Sequence, residues 1–511
     1  MTGLKNLPLE RDQRLSQSLL WTLQRRFFED RGPRAWSDHT VPHYITNNPF
    51  LAHAFGRIAD GFLRDWQGRL DPAEPVYIIE LGAGTGRFAF QFIAALRELQ
   101  SLRPPELPPF RYVMTDFTEA TFEYWRNHPS LRTLQEEGWL ELARFDADGD
   151  HHLPWDHLKN PIVVLANYFF DSIPQDAFAI REATLHERLS TIVSSADEQD
   201  LSDPDVLTRI GVNYSEQPAP PDYYDNPAFN AILRTYTDLE GAEFTFPTTG
   251  LRCLESLSRL SSGRLLLIAG DSARSTLAGV AAMRGPVVNM HGSFSLTVNF
   301  HAFGEYVRAH GGESLHTEDR QAYLNVSAFL LGEPPRTYAN TRAAFQDTVG
   351  SFGPDDFFVW KRALDSTQPK LTLREALAML RLSRWDPETF GTLFATLLAE
   401  IPGAEEADRQ QLRLAIERIW NAYYPVGEDT DVAFRAGMIL FECGDFAGAL
   451  ELFESSAALC GPHTATFHNL ALCHVELGDT ARAMQALDEA LALDADAVET
   501  QTLRNRLGGS V

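Results

Sequence analysis

The sequence predicts an α/β domain built on a doubly wound parallel sheet, followed by an all-α repeat domain. Three observations predict it. Short apolar runs at 76–79, 110–116, 139–145, 161–166 and 263–269 alternate with helical patterns, as in a parallel sheet covered by helices. A glycine turn, Gly82-Ala-Gly-Thr-Gly86, joins the first run to an apolar-rich helical stretch at 88–96. Near the end of the chain, small and capping residues recur 34 positions apart.

Composition sets the outer bounds. A chain of 511 residues holds two or three domains. The net charge of −26 argues against a general basic surface for nucleic acid or anionic membranes. It remains compatible with a basic protein partner. The cysteines, Cys253, Cys443, Cys460 and Cys473, lack zinc-site spacing and are few for a disulfide scaffold. They read as reduced thiols of a cytosolic protein with no metal site. Lys5, Glu10, Arg11 and Asp12 interrupt any leader-like apolar run, and no run approaches the ~20 residues that span a bilayer.

From the N-terminus, residues 13–29 place Leu15, Leu19, Leu20, Leu23 and Phe27 on one helical face. A turn at 45–49 precedes a helix over about 50–66. The glycine segment follows. Glycines at alternate positions let backbone approach a ligand and tolerate positive φ. The next helix adds free N–H groups at its start. Glu80 stands just before the first glycine. Its carboxylate repels a pyrophosphate but suits the amino group of an amino-acid-like ligand. Spacing and acid together favour S-adenosylmethionine (SAM) over NAD, with Glu80, Gly82, Gly84 and Gly86 around the methionine moiety.

Strand 110–116 ends in Asp116, a candidate acceptor for both ribose hydroxyls. A helix start near Glu119 makes it equally a candidate cap. Strand 139–145 is followed by Asp146, a candidate acceptor for the adenine amine. Strand 161–166 leads into Asn167-Tyr-Phe-Phe-Asp171-Ser-Ile-Pro174, at the end where open α/β sheets bind ligands. Residues 177–193 predict a hairpin, and 194–228 a long polar loop or lid. Strand 263–269, a helix at 301–309 and a late strand at 314–317 complete the domain.

The expected domains are 1–40, an N-terminal helix; 41–335, the α/β domain; 336–372, a linker; 373–425, helices that include degenerate repeats; and 426–511, repeats with a capping helix. In the last, Gly444-Asp and Gly478-Asp, Gly437 and Ala471, and Ala449 and Ala483 match at the 34-residue period, which resembles the tetratricopeptide repeat. This stretch carries four arginines and 14 acids, a balance of −10. It reads as a partner-binding stack, or as a solvated prop for the rest.

Taken in order, several segments resemble the MidA-type methyltransferases. That SAM-dependent family includes a mitochondrial enzyme acting on an arginine of a complex I subunit. The segments are Thr46-Asn-Asn-Pro49 through Phe55-Gly56, Glu80 through Gly86, Asn167 to Pro174, His186-Glu-Arg-Leu189 and Leu296-Thr-Val-Asn-Phe300. The resemblance covers over half the chain, about 44–332. It implies a Rossmann-like class I methyltransferase fold and a protein arginine as acceptor. Tyr168 replaces the family's Glu, Ala269-Gly-Asp271 its Asp-Tyr-Gly, and Asn299 its Asp. A guanidinium acceptor needs a carboxylate to orient it and hold its charge. Asp171 would be the remaining anchor, with Asn167 orienting, unless Asp171 caps the next helix. The other reading is a SAM-binding scaffold whose repeats assemble partners.

Overall fold

The computed structural model describes residues 7–37, 44–102, 107–149, 153–317, 323–334, 337–367, 369–428 and 430–508. Parts of the expected N-terminal segment (1–6 and 38–40) and of the linker (336 and 368) lie outside them. The chain divides into two units, Met1–Phe358 and Val359–Val511.

In the first unit, strands follow in order as β1 (Leu7–Arg14), β2 (Val76–Leu81), β3 (Phe110–Asp116), β4 (Leu140–Arg144) and β5 (Ile162–Asn167). Next come β6 (Asp176–Arg181), β7 (Thr184–Ser194), β8 (Ile210–Pro218), β9 (Glu243–Phe246) and β10 (Leu265–Asp271). Two small pairs follow, β11 (Ala273–Arg274) with β14 (Val298–Asn299), and β12 (Asn289–His291) with β13 (Ser293–Ser295). The last are β15 (Glu313–His316) and β16 (Asn325–Leu331).

The main sheet has the order β15-β16-β10-β5-β2-β3-β4. β10, β5, β2, β3 and β4 are parallel neighbours. The unbroken apolar runs of β5 and β10 fit strands covered on both faces: Ile162 to Ala166 and Leu265 to Ala269 are fully buried or nearly so. The sheet is not wholly parallel as expected. β16 runs antiparallel between β10 and β15.

The second sheet was only partly expected. β7 pairs with β6 as the predicted hairpin, and β6 pairs with β9. The predicted loop at 194–228 instead contains β8, which pairs with β7 along its whole length. The N-terminal stretch is not helical from residue 13. β1 pairs antiparallel with β7, and the helix spans Leu19–Arg31 with Ser18 as its cap.

The stretch 336–372 is largely helical rather than a linker, with helices at Ala339–Phe345 and Pro354–Thr367. The first docks on helix Pro49–Asp65. Asp65 accepts from Asn340 N, Thr341 N and the Thr341 hydroxyl at 2.7–2.9 Å. A Cβ at Gly61 would come within 2.8 Å of the Asn340 carbonyl, so the helices meet backbone to backbone.

The second unit is helical, with an apolar core reaching from Leu364 to Leu503 among the described residues. Two helix pairs, Val432–Glu442 with Phe446–Cys460 and Thr464–Glu476 with Thr480–Leu493, repeat one pattern. Gly444 and Gly478 both take φ near +79°, at 78° and 79°. Asp445 and Asp479 then cap the second helices by accepting from Gly448 N and Arg482 N, each at 3.0 Å. Gly437 is needed for close crossing, since a Cβ there would lie 2.9 Å from the Phe453 ring.

Candidate functional site

The parallel strands deliver their C-terminal ends to one edge, and a cleft opens there. Gly82 follows β2, Asp116 ends β3 with Phe117 and Thr118 after it, Phe145 to Asp148 follow β4, and Tyr168, Phe169 and Ser172 to Pro174 follow β5. The remaining wall comes from the N-terminal helix, as Trp21, Gln24, Arg25 and Phe28, and from Trp36. Seven of the lining residues are aromatic, and three are acids, Asp116, Asp146 and Asp148.

The glycine loop is shaped as its sequence requires. Gly82, Gly84 and Gly86 have φ of 63°, 53° and 81°, a region costly for other residues. The Ala83 N–H donates to the Thr115 carbonyl and the Trp125 indole to the Gly84 carbonyl, at 2.9 and 2.8 Å. Gly86 then caps helix Arg87–Ser101. A Cβ on Gly82 would stand 3.0 Å from the Phe169 ring, and one on Gly84 would stand 3.4 Å from Trp36.

Asp116 is where the sequence expects it. It lines the cleft while accepting from Thr118 N at 2.9 Å. Burial pushes its carboxyl up to about 6, with the Thr118 bonds pulling the other way. It is therefore largely ionised at neutral pH. Its cap-like bond to Thr118 coexists with its place on the cleft, while Thr118 itself caps helix Glu119–Asn127. Asp146 also lines the cleft. One of its oxygens accepts from Asp148 N at 3.2 Å, and the other is ion-paired with Arg25.

Glu80 is placed differently from the expectation. It faces away from the cleft, into the layer under helix Arg87–Ser101. There it accepts the Tyr112 hydroxyl at 2.9 Å and is 3% exposed. Burial pushes its carboxyl up to about 8. It is mostly neutral near pH 7 and does not present a negative charge to a ligand.

The β5 end also departs from the reading. Asp171 is 1% exposed and does not line the cleft. It lies in the three-residue turn of helix Phe170–Ser172, accepts from the Ser172 hydroxyl at 2.8 Å, and faces Asp271. It is neither an accessible anchor nor the cap of a following helix. Burial pushes Asp171 up to about 7 and Asp271 well above the carboxylate range, with the Asp171 charge adding to the latter. Asn167 donates to the Thr46 carbonyl at 2.6 Å, tying β5 to the Thr46-Asn-Asn-Pro49 segment. Tyr168 lines the cleft at φ 51°, a strained value for a non-glycine residue. Its hydroxyl donates to the Tyr323 carbonyl at 2.9 Å. Asn299 caps helix Phe300–Ala309 by accepting from Ala302 N at 3.0 Å.

Sequence reasoning missed the N-terminal wall. The apolar spacing of Leu19, Leu20, Leu23 and Phe27 reports the buried face of that helix. Arg25 and Phe28 lie off that face and carry no periodic signal.

Residues 57–269 match the family model described as "Putative S-adenosyl-L-methionine-dependent methyltransferase". The matched segment contains the glycine loop and β2 to β5, and ends within β10. No curated protein matches the chain. Among solved structures, an uncharacterized protein from Burkholderia thailandensis is 14% identical, with 63% of this chain and 89% of that one covered and a TM-score of 0.40. A member of the same superfamily from that organism, bound to S-adenosyl-homocysteine, is 14% identical over 57% and 80%, with a TM-score of 0.38. A TPR protein of Thermus thermophilus is 14% identical over 34% and 89%, with a TM-score of 0.23. The match over 57–269 supports S-adenosyl-L-methionine-dependent methyltransferase activity for the α/β part of the chain.

Proposed function

We propose that the chain transfers the methyl group of SAM to a protein side chain, and that its helical unit docks the protein acceptor. The observation that carries the reading is the cleft, with Gly82 of the positive-φ glycine loop, its ionised Asp116 at the end of β3 and its aromatic walls. These residues fit the cofactor. Asp116 suits ribose hydroxyls, Asp146 suits an exocyclic amine, and ring faces beside acids suit a sulfonium cation. The cofactor supplies the methyl group. The chain supplies orientation and charge placement for an in-line displacement.

The helical unit supports a docking role through its repeated caps and close crossings, which favour the tetratricopeptide reading. Its acidic balance suits a basic protein segment. Arginine is the acceptor suggested by the MidA-type resemblance. Because the helical core is continuous from Leu364 to Leu503, the informative deletion removes all of 373–511 rather than the final repeats. It should leave S-adenosyl-homocysteine affinity intact and lower transfer to a protein acceptor.

A second reading, a SAM-binding scaffold with little turnover, is favoured by one observation. The residues expected to serve the acceptor are otherwise engaged: Asp171 is sealed against Asp271, and Asn167 donates to the Thr46 carbonyl. Incubating the chain with methyl-labelled SAM and a lysate of the source cell separates the two. Label on a protein supports the enzyme reading. Cofactor binding with label on no species supports the scaffold.

A further inference from the structure

One side chain in the cleft already does what a bound base would do. Arg25 projects from helix Leu19–Arg31, which lies outside the family-matched segment. Its guanidinium sits over the Phe117 ring, 4.7 Å from the centroid. The same group is ion-paired with Asp146, and the other Asp146 oxygen is taken by Asp148 N–H. A guanidinium is planar, delocalised and rich in N–H donors. Adenine makes the same two demands, a flat surface to stack on and an acceptor for its exocyclic amine. Phe117 and Asp146 meet both, and Arg25 occupies both.

The helix that carries Arg25 is itself anchored. Gln24 donates to the Ser172 carbonyl at 3.1 Å and accepts from Phe294 N at 3.2 Å, and the Trp21 indole donates to the Leu15 carbonyl at 2.7 Å. The Arg25 side chain is 39% exposed, against 10% for Asp146. It can therefore swing into solvent without the helix moving.

We propose that Arg25 is an internal occupant of the adenine subsite, exchanged for the base when the cofactor binds, so that it sets cofactor affinity. This rests on the SAM-binding reading above. Breaking a partly exposed ion pair and a cation–ring contact weakens binding modestly, so removing Arg25 should tighten it by about three- to tenfold.

The test is calorimetric titration of the full chain with S-adenosyl-homocysteine, adenosine and inosine. Wild type is compared with Arg25→Ala, and with Arg25→Met, which keeps the aliphatic stem should alanine loosen the helix. The expected result is tighter binding of the first two ligands to both variants, with no comparable gain for inosine, which bears an oxygen in place of the amine. Equal or weaker adenosine binding by the variants, with wild-type cofactor binding intact, overturns the Arg25 proposal alone. An equal gain for inosine overturns the exchange at Asp146. Absence of S-adenosyl-homocysteine binding by wild type and variants alike overturns the cofactor reading, and this proposal with it.

Discussion

Two pairs of acids stand at the same edge of the main sheet and have opposite environments. Asp116, at the end of β3, and Asp146, just past β4, line the cleft. Asp171, in the turn Phe170–Ser172 after β5, and Asp271, at the end of β10, are buried and face each other. Both pairs follow apolar parallel strands, and both look alike as acids at strand ends. The difference teaches that the strand end supplies only the position. Whether the acid serves a ligand depends on what packs above it. Above Asp116 is an open cleft. Above Asp171 are Phe170, Ser172 and the backbone of Leu296, whose N–H donates to the Asp171 carbonyl at 3.1 Å.

The comparison can be broken most forcefully from the glycine loop that serves the open pair. Gly84→Val places a branched side chain at φ 53° with Trp36 3.4 Å from its Cβ. Binding of S-adenosyl-homocysteine should fall by roughly a hundredfold or more, since ligand space and backbone conformation are both lost. Wild-type affinity in a folded variant, measured by calorimetry, would remove the loop from the site.

Asp116→Asn tests the open pair directly. It keeps the acceptor carbonyl but loses the charge, and affinity should drop about tenfold, or ~1.4 kcal/mol. The carboxyl titrates near about 6, so wild-type affinity should decline as pH falls through that value. The variant should lack this decline. A shared pH profile would place the titration elsewhere.

Asp271→Asn tests the sealed pair. Both carboxyls sit above their ordinary range in the folded chain, so the folded state holds protons that the unfolded state releases. Stability therefore falls as pH climbs from about 4 towards 7. Asparagine can still accept from Phe170 N, the bond now made by Asp271 at 3.0 Å, while removing one charge. The variant should be more stable than wild type by roughly 1–2 kcal/mol near pH 8, and the gain should shrink near pH 5. Cofactor affinity should hold. Melting curves at the two pH values check the sign, and a variant destabilised at pH 8 would contradict the like-charge account.

Glu80→Gln should have the smallest effect on binding. Glu80 points away from the cleft and is mostly neutral near pH 7. Less than about a twofold change in S-adenosyl-homocysteine affinity is expected, on the order of 0.4 kcal/mol. A tenfold loss would restore the role first read from its place before the glycines.

Much of this architecture was legible, and the parts that were not share a cause. β2, β3, β5 and β10 announce themselves because strands buried on both faces are largely apolar. β1 does not, since Leu-Pro-Leu-Glu-Arg-Asp-Gln-Arg has little apolar pattern and is a strand because β7 offers it an edge. β8 reads as polar loop for the same reason. β16 is buried throughout and mostly apolar, but its antiparallel place between β10 and β15 is a matter of topology. Local pattern reports burial along one segment and is silent on which partner provides it.

The same division holds at the site. The sequence by itself determined the glycine turn, the acid closing β3 and the 34-residue helical period, because each is a local demand. Positive φ needs glycine, a parallel strand ends where its apolar run ends, and crossing helices need small residues at fixed intervals. Only the tertiary structure decided that Glu80 faces Tyr112, that Asp171 meets Asp271 and that Arg25 reaches Asp146. The Asp171 pair arises because β5 and β10 align Asn167 with Gly270 and so carry two distant acids to one point. The pair at Asp146 joins residues 121 positions apart. The environment of a charge is set by neighbours brought from elsewhere in the chain, and no local pattern records them.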